Sequence, residues 1–579
     1  MLATGLFLCA LLPFVASVSF EALNFDDFDY AARNAIVLRG LTWDGVRYAC
    51  AGTHSLGIWF PLTVLTYLCD AACFGGTPQA FHIGNLFWHG AAAVALFLLL
   101  AEILRRRPAA GLPETTGLWC AFFAALFWAV HPLRTESVAW IASRKDLVSG
   151  CFGFLGLACW VRSCTTGPAW GKAYWAAMAC FALAIMAKPV VMTFPVAALC
   201  LEALLTGRVQ WRRLALPVLM GMACGLLAIW MQADEHQSVT SLMATPLWQR
   251  LANALAALWH YARAIVWPAR LACFYPWPRN LDWWSVAAGG TIAAAALGLA
   301  IAAGWPRKPA GNRQPARIGL LLAIWFFAAL APTLGLIHFG KHAYADRFTY
   351  WPSAAIAAGL ALAWLRAAER WPMARSWGGA LLASLCVGYG VAAWQNARAW
   401  RNTTTVLERA CAVTQDNAYA HCMLGMAYAA DPSRFRDAVR HLRTSIQILP
   451  NSENIGTLAL LLAIRAPEAE LEQATALAQQ ALGIFPQEGT ARVALGLVAL
   501  RCRDWQAAET SLAAGAALRG GDPMIWEWLG MARYNLKQYP AAAEAFGMAL
   551  RKDPANAALR ERIRQAEALA RQRNEETRP

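Results

Sequence analysis

The sequence predicts an all-α protein in two parts. Residues 1–400 read as a polytopic bundle of about eleven membrane helices, and residues 401–579 as an α-solenoid of helical repeats. Three observations carry this. The chain has 579 residues, 58% hydrophobic and only 15% charged, with a mean hydropathy of +0.38; no soluble globular surface needs so few charges. Apolar runs of about 20 residues, long enough to cross a bilayer, recur through the first part. After residue 400 the composition turns polar, and a period of 34 residues becomes visible.

The apolar runs lie near 2–20, 85–104, 117–133, 147–162, 173–187, 190–206, 214–231, 285–304, 318–337, 351–367 and 377–394. The first lacks a basic leader and a clear cleavage site, so it reads as an uncleaved helix. Residues 173–206 are too long for one crossing. Lys188-Pro189 sits at their middle, and proline disfavours helical geometry in the residue before it, so the run divides there.

Orientation follows from charge. Arg105-Arg106-Arg107, the loop 162–172, Arg208 with Arg212-Arg213, Arg307 to Arg317 and Arg366 to Arg375 are expected in the cytoplasm. The opposite face then carries the acidic stretch Asp26-Asp27-Phe28-Asp29, the segment His131 to Asp146, Lys188, and His338 to Arg347. Segment 249–267 is apolar but holds Arg250, Asn253, His260 and Arg263. If it crossed, the basic loop 305–317 would fall outside, so it reads as an interfacial or re-entrant helix. Eleven crossings leave the C-terminus outside the cytoplasm.

The repeats are expected at 418–451, 455–488, 489–522 and 523–556, with a polar capping helix from about 556 to 571. Leu495-Gly496 and Leu529-Gly530 stand 34 apart. In the last copy Trp526, Leu529, Gly530, Ala542, Phe546, Ala549 and Pro554 occupy tetratricopeptide positions. Such an array is either a plain stack of helical hairpins or a concave surface for a polypeptide.

The net charge is +15, yet the basic residues cluster in loops between apolar runs, which points to membrane topology and not to nucleic acid. The 16 cysteines are scattered, many within apolar runs, where cysteine behaves as a small hydrophobe. There is no CxxC, zinc spacing, Walker loop or dinucleotide fingerprint in context.

Polar residues concentrate on the outer face. Three carboxylates fall within Asp26 to Asp29, directly after the first membrane helix. They read either as a solvated loop or as the site of a base, Asp26 or Asp27. Arg144, Lys145, Lys188, Lys341 and Arg347 sit beside helix ends, either as interface anchors or as phosphate ligands. Arg144-Lys145 runs against the topology rule, and Lys188 is ionisable between two apolar halves, a functional candidate by default. His131 and Glu136 read as a helix-end turn or as ligands of a sugar or metal; nothing defines a metal ligand set.

The order of these stretches resembles a known family. Asp26 to Tyr30, Gly40-Leu41-Thr42-Trp43, Trp59 to Thr63, Phe81-His82, Asn85-Leu86, His89, His131-Pro132-Leu133, Glu136 to Trp140, Arg144-Lys145-Asp146, Lys188-Pro189 and Ala345 to Tyr350 look like GT-C glycosyltransferases. The likeness is to the protein O-mannosyltransferase-like group with C-terminal tetratricopeptide repeats, called TMTC in animals, and its bacterial relatives. It implies a GT-C-like membrane domain with an outer loop at 21–84, a polyprenyl-phosphate sugar donor and inverting transfer of a hexose such as mannose to a protein Ser/Thr hydroxyl. A divalent cation is the one cofactor it leaves open. Asp26 matches the first acid of the family's pair and takes the base role, with Asp27 in support. Donor binding falls to Arg144, Lys145, Lys188, Lys341, Arg347, His131 and Glu136. The expected partners are membrane lipid, the lipid-linked sugar, and a protein or peptide acceptor held by the repeats; the expected location is a bacterial inner membrane, with site and repeats on the periplasmic side. Rival readings are a glycan or lipid acceptor, or a non-catalytic scaffold recruiting envelope proteins.

Overall fold

Helix follows helix along the chain, as the apolar runs require. The computed structural model describes residues 1–51, 59–107, 111–165, 170–234, 245–304, 310–336 and 342–576. Contacts divide it into two units, Met1–Thr414 and Gln415–Pro579.

In the first unit α1 (Leu2–Leu11) runs on as a 3₁₀ helix to Ser19. Then come α2 (Trp43–Cys50), α3 (Pro61–Phe74), α4 (Pro78–Arg105), α5 (Glu114–Ala129), the short α6 (Thr135–Ala139), α7 (Arg144–Thr165), α8 (Lys172–Ala187) and α9 (Phe194–Thr206). α10 (Trp211–Asp234), α11 (Leu247–Val266), α12 (Trp283–Gly304), α13 (Ala310–Leu330), α14 (Ala354–Arg370), α15 (Met373–Ala397) and α16 (Thr403–Val413) complete it. A two-residue strand at Tyr275–Pro276 pairs antiparallel with His342–Tyr344, a feature that the apolar pattern does not announce.

Among the described residues, eight spans are long and apolar enough to cross a membrane. There are nine if α5 and the segment Pro132–Ala139, bent by 57°, count as one. Two of the eleven expected crossings, α8 and α14, have 16 and 17 residues. At about 1.5 Å per residue they are shorter than a hydrocarbon core of about 30 Å. The division at Lys188-Pro189 is present: α8 stops at Ala187, and Lys188 is extended at φ −158°, as a residue before proline prefers. α11 is not among the eight spans. Arg250, Asn253 and His260 are buried, while Arg263 is exposed: Asn253 Nδ2 donates to the Ala343 carbonyl at 3.2 Å, and Arg250 Nε to the Thr245 carbonyl at 2.9 Å.

α4 and α7 are the most enclosed of these spans, and α12 is the most exposed. The first loop packs on this centre through Tyr30, Val37, Phe60, Val64, Tyr67, Phe81 and Ile141. The first unit runs past residue 400. The Arg401 carbonyl accepts from Glu21 N–H at 2.9 Å, and Thr403 Oγ1 from Asn24 N–H at 2.8 Å. The end of α15 therefore stands beside the acidic stretch.

The second unit holds four helix pairs: α17 (Ala418–Ala429) with α18 (Phe435–Ile448), α19 (Ser452–Arg465) with α20 (Leu471–Ile484), α21 (Gly489–Arg501) with α22 (Trp505–Arg519), and α23 (Pro523–Asn535) with α24 (Tyr539–Lys552). α25 (Ala557–Glu576) follows, packed on α24 around Phe546, Leu559 and Ala566. Gly530 lets its pair close. A Cβ there would stand 2.5 Å from the Phe546 ring, too near for any side chain.

Candidate functional site

Asp27 anchors the acidic stretch. It is fully buried. Its Oδ2 accepts from Leu23 N–H at 2.8 Å and its Oδ1 from Ala142 N–H at 2.8 Å. Both oxygens are engaged, and the loop is tied to the turn that opens α7. Burial pushes the carboxyl up from 3.8 to about 7, against the two N–H donors, which favour the anion. The second acid of the pair thus holds backbone.

Asp26 is different. It is half-buried, and among the described residues its carboxylate accepts no hydrogen bond. Its charge reaches both Lys145 and Arg347.

The turn between α6 and α7 is held on all sides. Tyr67 Oη donates to the Ile141 carbonyl at 2.7 Å. Asn85 Nδ2 donates to the Val138 and Trp140 carbonyls at 3.2 and 3.0 Å. Arg144, fully buried, is paired with Asp70, donates to Asn85 Oδ1 at 2.8 Å and to the Phe81 carbonyl, and lies over Tyr67. The Arg144 guanidinium, expected among the donor ligands, is engaged by α3 and α4. The pair orients the start of α7, where Lys145 follows. Lys145 Nζ stands 4.8 Å from the Tyr30 ring centre and 5.7 Å from that of Phe60. It has no hydrogen-bond partner among the described residues.

Lys188 and Arg347 complete a group of three cations. Lys188, freed from helical geometry by the proline break, pairs with Asp146 and lies over Phe348. Arg347 lies in the 3₁₀ turn Asp346–Thr349 before α14. Its N–H donates to Glu136 Oε2 at 2.8 Å, and its guanidinium pairs with the other oxygen over Trp140 and Phe348. Lys145, Lys188 and Arg347 feel one another's charge. Glu136, expected to face a sugar or metal, engages Arg347 through both carboxylate oxygens. His131 is engaged as well. Its Nδ1 accepts from Leu133 N–H at 3.2 Å, so Nε2 carries the proton and donates to the Ile265 carbonyl at 2.9 Å; no ring nitrogen is left. Lys341 lies outside the described residues.

Asp346 does not pair with its neighbour. It accepts from Tyr275 Oη at 3.1 Å and stands 3.4 Å from His260 Nε2, which seats the segment carrying Arg347. Sequence reasoning gave no role to Asp70, Asp146 or Arg134. Asp70 had a signal, a carboxylate inside the apolar run of α3. Arg134, buried between Trp128 and Tyr350, donates to Thr349 Oγ1 at 2.8 Å.

The site can present a carboxylate with free acceptor capacity within electrostatic reach of cations packed against aromatic rings. That combination suits proton removal and stabilisation of a developing anion.

No family model matches the chain. Two solved structures resemble its backbone: a P58(IPK) TPR domain, at 12% identity over 69% of this chain and 94% of that one with a TM-score of 0.22, and the Cut9-Hcn1 hetero-tetramer of the APC/C, at 12% identity over 79% and 90% with a TM-score of 0.25. Among curated proteins, human protein O-mannosyl-transferase TMTC2 is 34% identical over 116 residues, 20% of this chain and 12% of that protein. Drosophila melanogaster Tmtc1 is 36% identical over 115 residues, again 20% and 12%. Mouse TMTC4 is 32% identical over 102 residues, 17% and 14%. The matched stretches span well under a fifth of these relatives. Over about 20% of its length the chain is similar to the TMTC protein O-mannosyl-transferases.

Proposed function

We propose that this integral membrane protein is an inverting GT-C-type glycosyltransferase. It moves a hexose, mannose in the first instance, from a polyprenyl phosphate to a Ser/Thr hydroxyl of a protein on the extracytoplasmic side of a bacterial inner membrane. One observation carries the reading: the unengaged carboxylate of Asp26, set within electrostatic reach of Lys145 and Arg347. The relatives' name, protein O-mannosyl-transferase, supports the reaction class.

An acceptor hydroxyl attacks the anomeric carbon while its proton passes to Asp26. The bond from that carbon to the donor phosphate oxygen breaks on the opposite face of the sugar. The leaving polyprenyl phosphate gains negative charge, which Arg347, Lys188 and Lys145 meet. Asp27, Arg144, Glu136 and Asp346 keep these groups in place.

The test is transfer from a polyprenyl-linked sugar in membranes. Asp26→Asn keeps the shape and removes the proton acceptor. The expected loss is about 10²–10⁴-fold, with insertion and melting unchanged. Wild-type transfer by Asp26→Asn rules out the base. EDTA is expected to leave transfer intact, since fixed cations meet the phosphate and Asp146 and Glu136 are already paired. Loss on chelation, restored by Mg²⁺ or Mn²⁺, overturns that assignment.

A further inference from the structure

Far from Asp26, at the other end of α4 and α7, lies a cavity of about 500 Å³. Both helices begin at the site, where Asn85 and Arg144 meet, and both end at the cavity, where Glu102 and Arg162 meet at 3.7 Å. Twenty residues of α4 separate Asn85 from Arg105, about 30 Å at 1.5 Å per residue. The cavity therefore belongs to the opposite membrane face, the one with the arginine loops.

Its walls are Leu98, Leu118, Leu155 and Leu365. Leu98 and Leu118 are 44% and 40% exposed, so it opens toward lipid. Its mouth carries Arg105 and Arg162, with Glu102 and Glu114. Glu102 stands 2.6 Å from Arg105 and 3.5 Å from Arg106, and lines up three guanidiniums. Beyond them, burial and the like charges of Arg366 and Arg317 hold Arg107 below its ordinary range. Arg107 Nη1 is buried without a partner. The lining itself balances two arginines against two glutamates, and Arg106 and Arg107, next in the chain after Arg105, add the positive excess.

The geometry points to a binding site for an anionic glycerophospholipid, with an acyl chain in the leucine-lined cavity and the phosphate on Arg105 and Arg162. An apolar cavity open to the bilayer selects a hydrocarbon chain. The net positive rim selects an anionic headgroup, each surface cation being worth about 1 kcal/mol toward acidic lipid. This inference does not depend on the transferase reading.

Gly117 provides the test. It lines the cavity, and a Cβ there would meet only Leu104 Cβ at 3.7 Å, an ordinary contact. Gly117→Leu fills the cavity while improving helix propensity. The full chain is purified in detergent and its bound lipid read by native mass spectrometry after exposure to phosphatidylglycerol, phosphatidylcholine or glycerol phosphate. Wild type should retain phosphatidylglycerol over phosphatidylcholine by about tenfold, the equivalent of 1.4 kcal/mol. Gly117→Leu should lose retention of both lipids. Arg105→Gln with Arg162→Gln should lose only the preference. Equal retention by wild type and Gly117→Leu overturns the proposal, as does equal retention of the two lipids by wild type. Displacement of the lipid by glycerol phosphate alone would mean a free-phosphate site, and overturns it too.

Discussion

Asp26 and Asp27 carry the same side chain one peptide apart and meet opposite surroundings. Asp27 is enclosed, with an N–H on each oxygen, so an asparagine there can accept only one of the two bonds. Asp27→Asn is expected to cost about 1–3 kcal/mol of stability and to loosen the stretch bearing Asp26. Its titration gives a second readout. Burial raises the native carboxyl from 3.8 to about 7, so between those values the folded state holds more protons than the unfolded one. Its contribution to stability is therefore greatest below pH 4 and falls as pH rises toward 7. Melting temperature measured from pH 4 to 7 should show this decline in wild type and a flatter profile in Asp27→Asn. Equal slopes would remove Asp27 as the titrating group.

At the scale of elements, the start of α7 is set by a contact between helices. Gly84 on α4 faces the Asp70–Arg144 pair so closely that a Cβ would overlap Asp70 Oδ2 and crowd Arg144 Nη2. Neither group can yield, because both are held in a packed interior. Gly84→Ala is expected to destabilise by about 1–3 kcal/mol through overpacking and to reduce transfer by shifting Lys145. Asp70→Asn in the same background relieves the ion pair but not the overlap, so it should not rescue. Unchanged melting of Gly84→Ala would show that α3 and α4 separate freely. The bond from Asn24 to Thr403 is a second contact of this kind. It brings the end of the last membrane helix to the acidic stretch, independently of how many crossings precede it.

The whole molecule raises the question of sides. By length and composition the described helices give eight or nine crossings, which by parity send the chain to different sides. The end of α15 beside Glu21 and Asn24 favours an exit on the face of Asp26. A reporter fused at Pro579 is therefore expected to read extracytoplasmic. Given that side, the repeats should capture a polypeptide acceptor and raise its local concentration. Removing residues 415–579 should weaken transfer to a protein acceptor strongly and leave transfer to a small hydroxyl acceptor nearly intact. A cytoplasmic reporter, or equal use of the protein acceptor by the truncated chain, ends that role.

Much of this is local information, and local information is legible. Apolar runs of spanning length mark membrane helices because a bilayer leaves backbone groups no partner outside the helix. Lys188-Pro189 breaks a run because of proline's own sterics. The 34-residue period marks helix pairs because each buries its small-residue face only on a neighbour. These features, and the list of polar residues beside helix ends, were determined by the sequence. The roles within that list were not. Asp27 and Ala142 are 115 residues apart, Arg144 and Asn85 59, and Arg347 and Glu136 211. Such bonds exist only once tertiary packing has brought distant segments together and excluded water from them. The tertiary structure alone therefore decided that Arg144, Glu136 and His131 are engaged within the protein, and that the Asp26 carboxylate and the Lys145 ammonium are left open, because a buried polar group must take a protein partner wherever water cannot reach it.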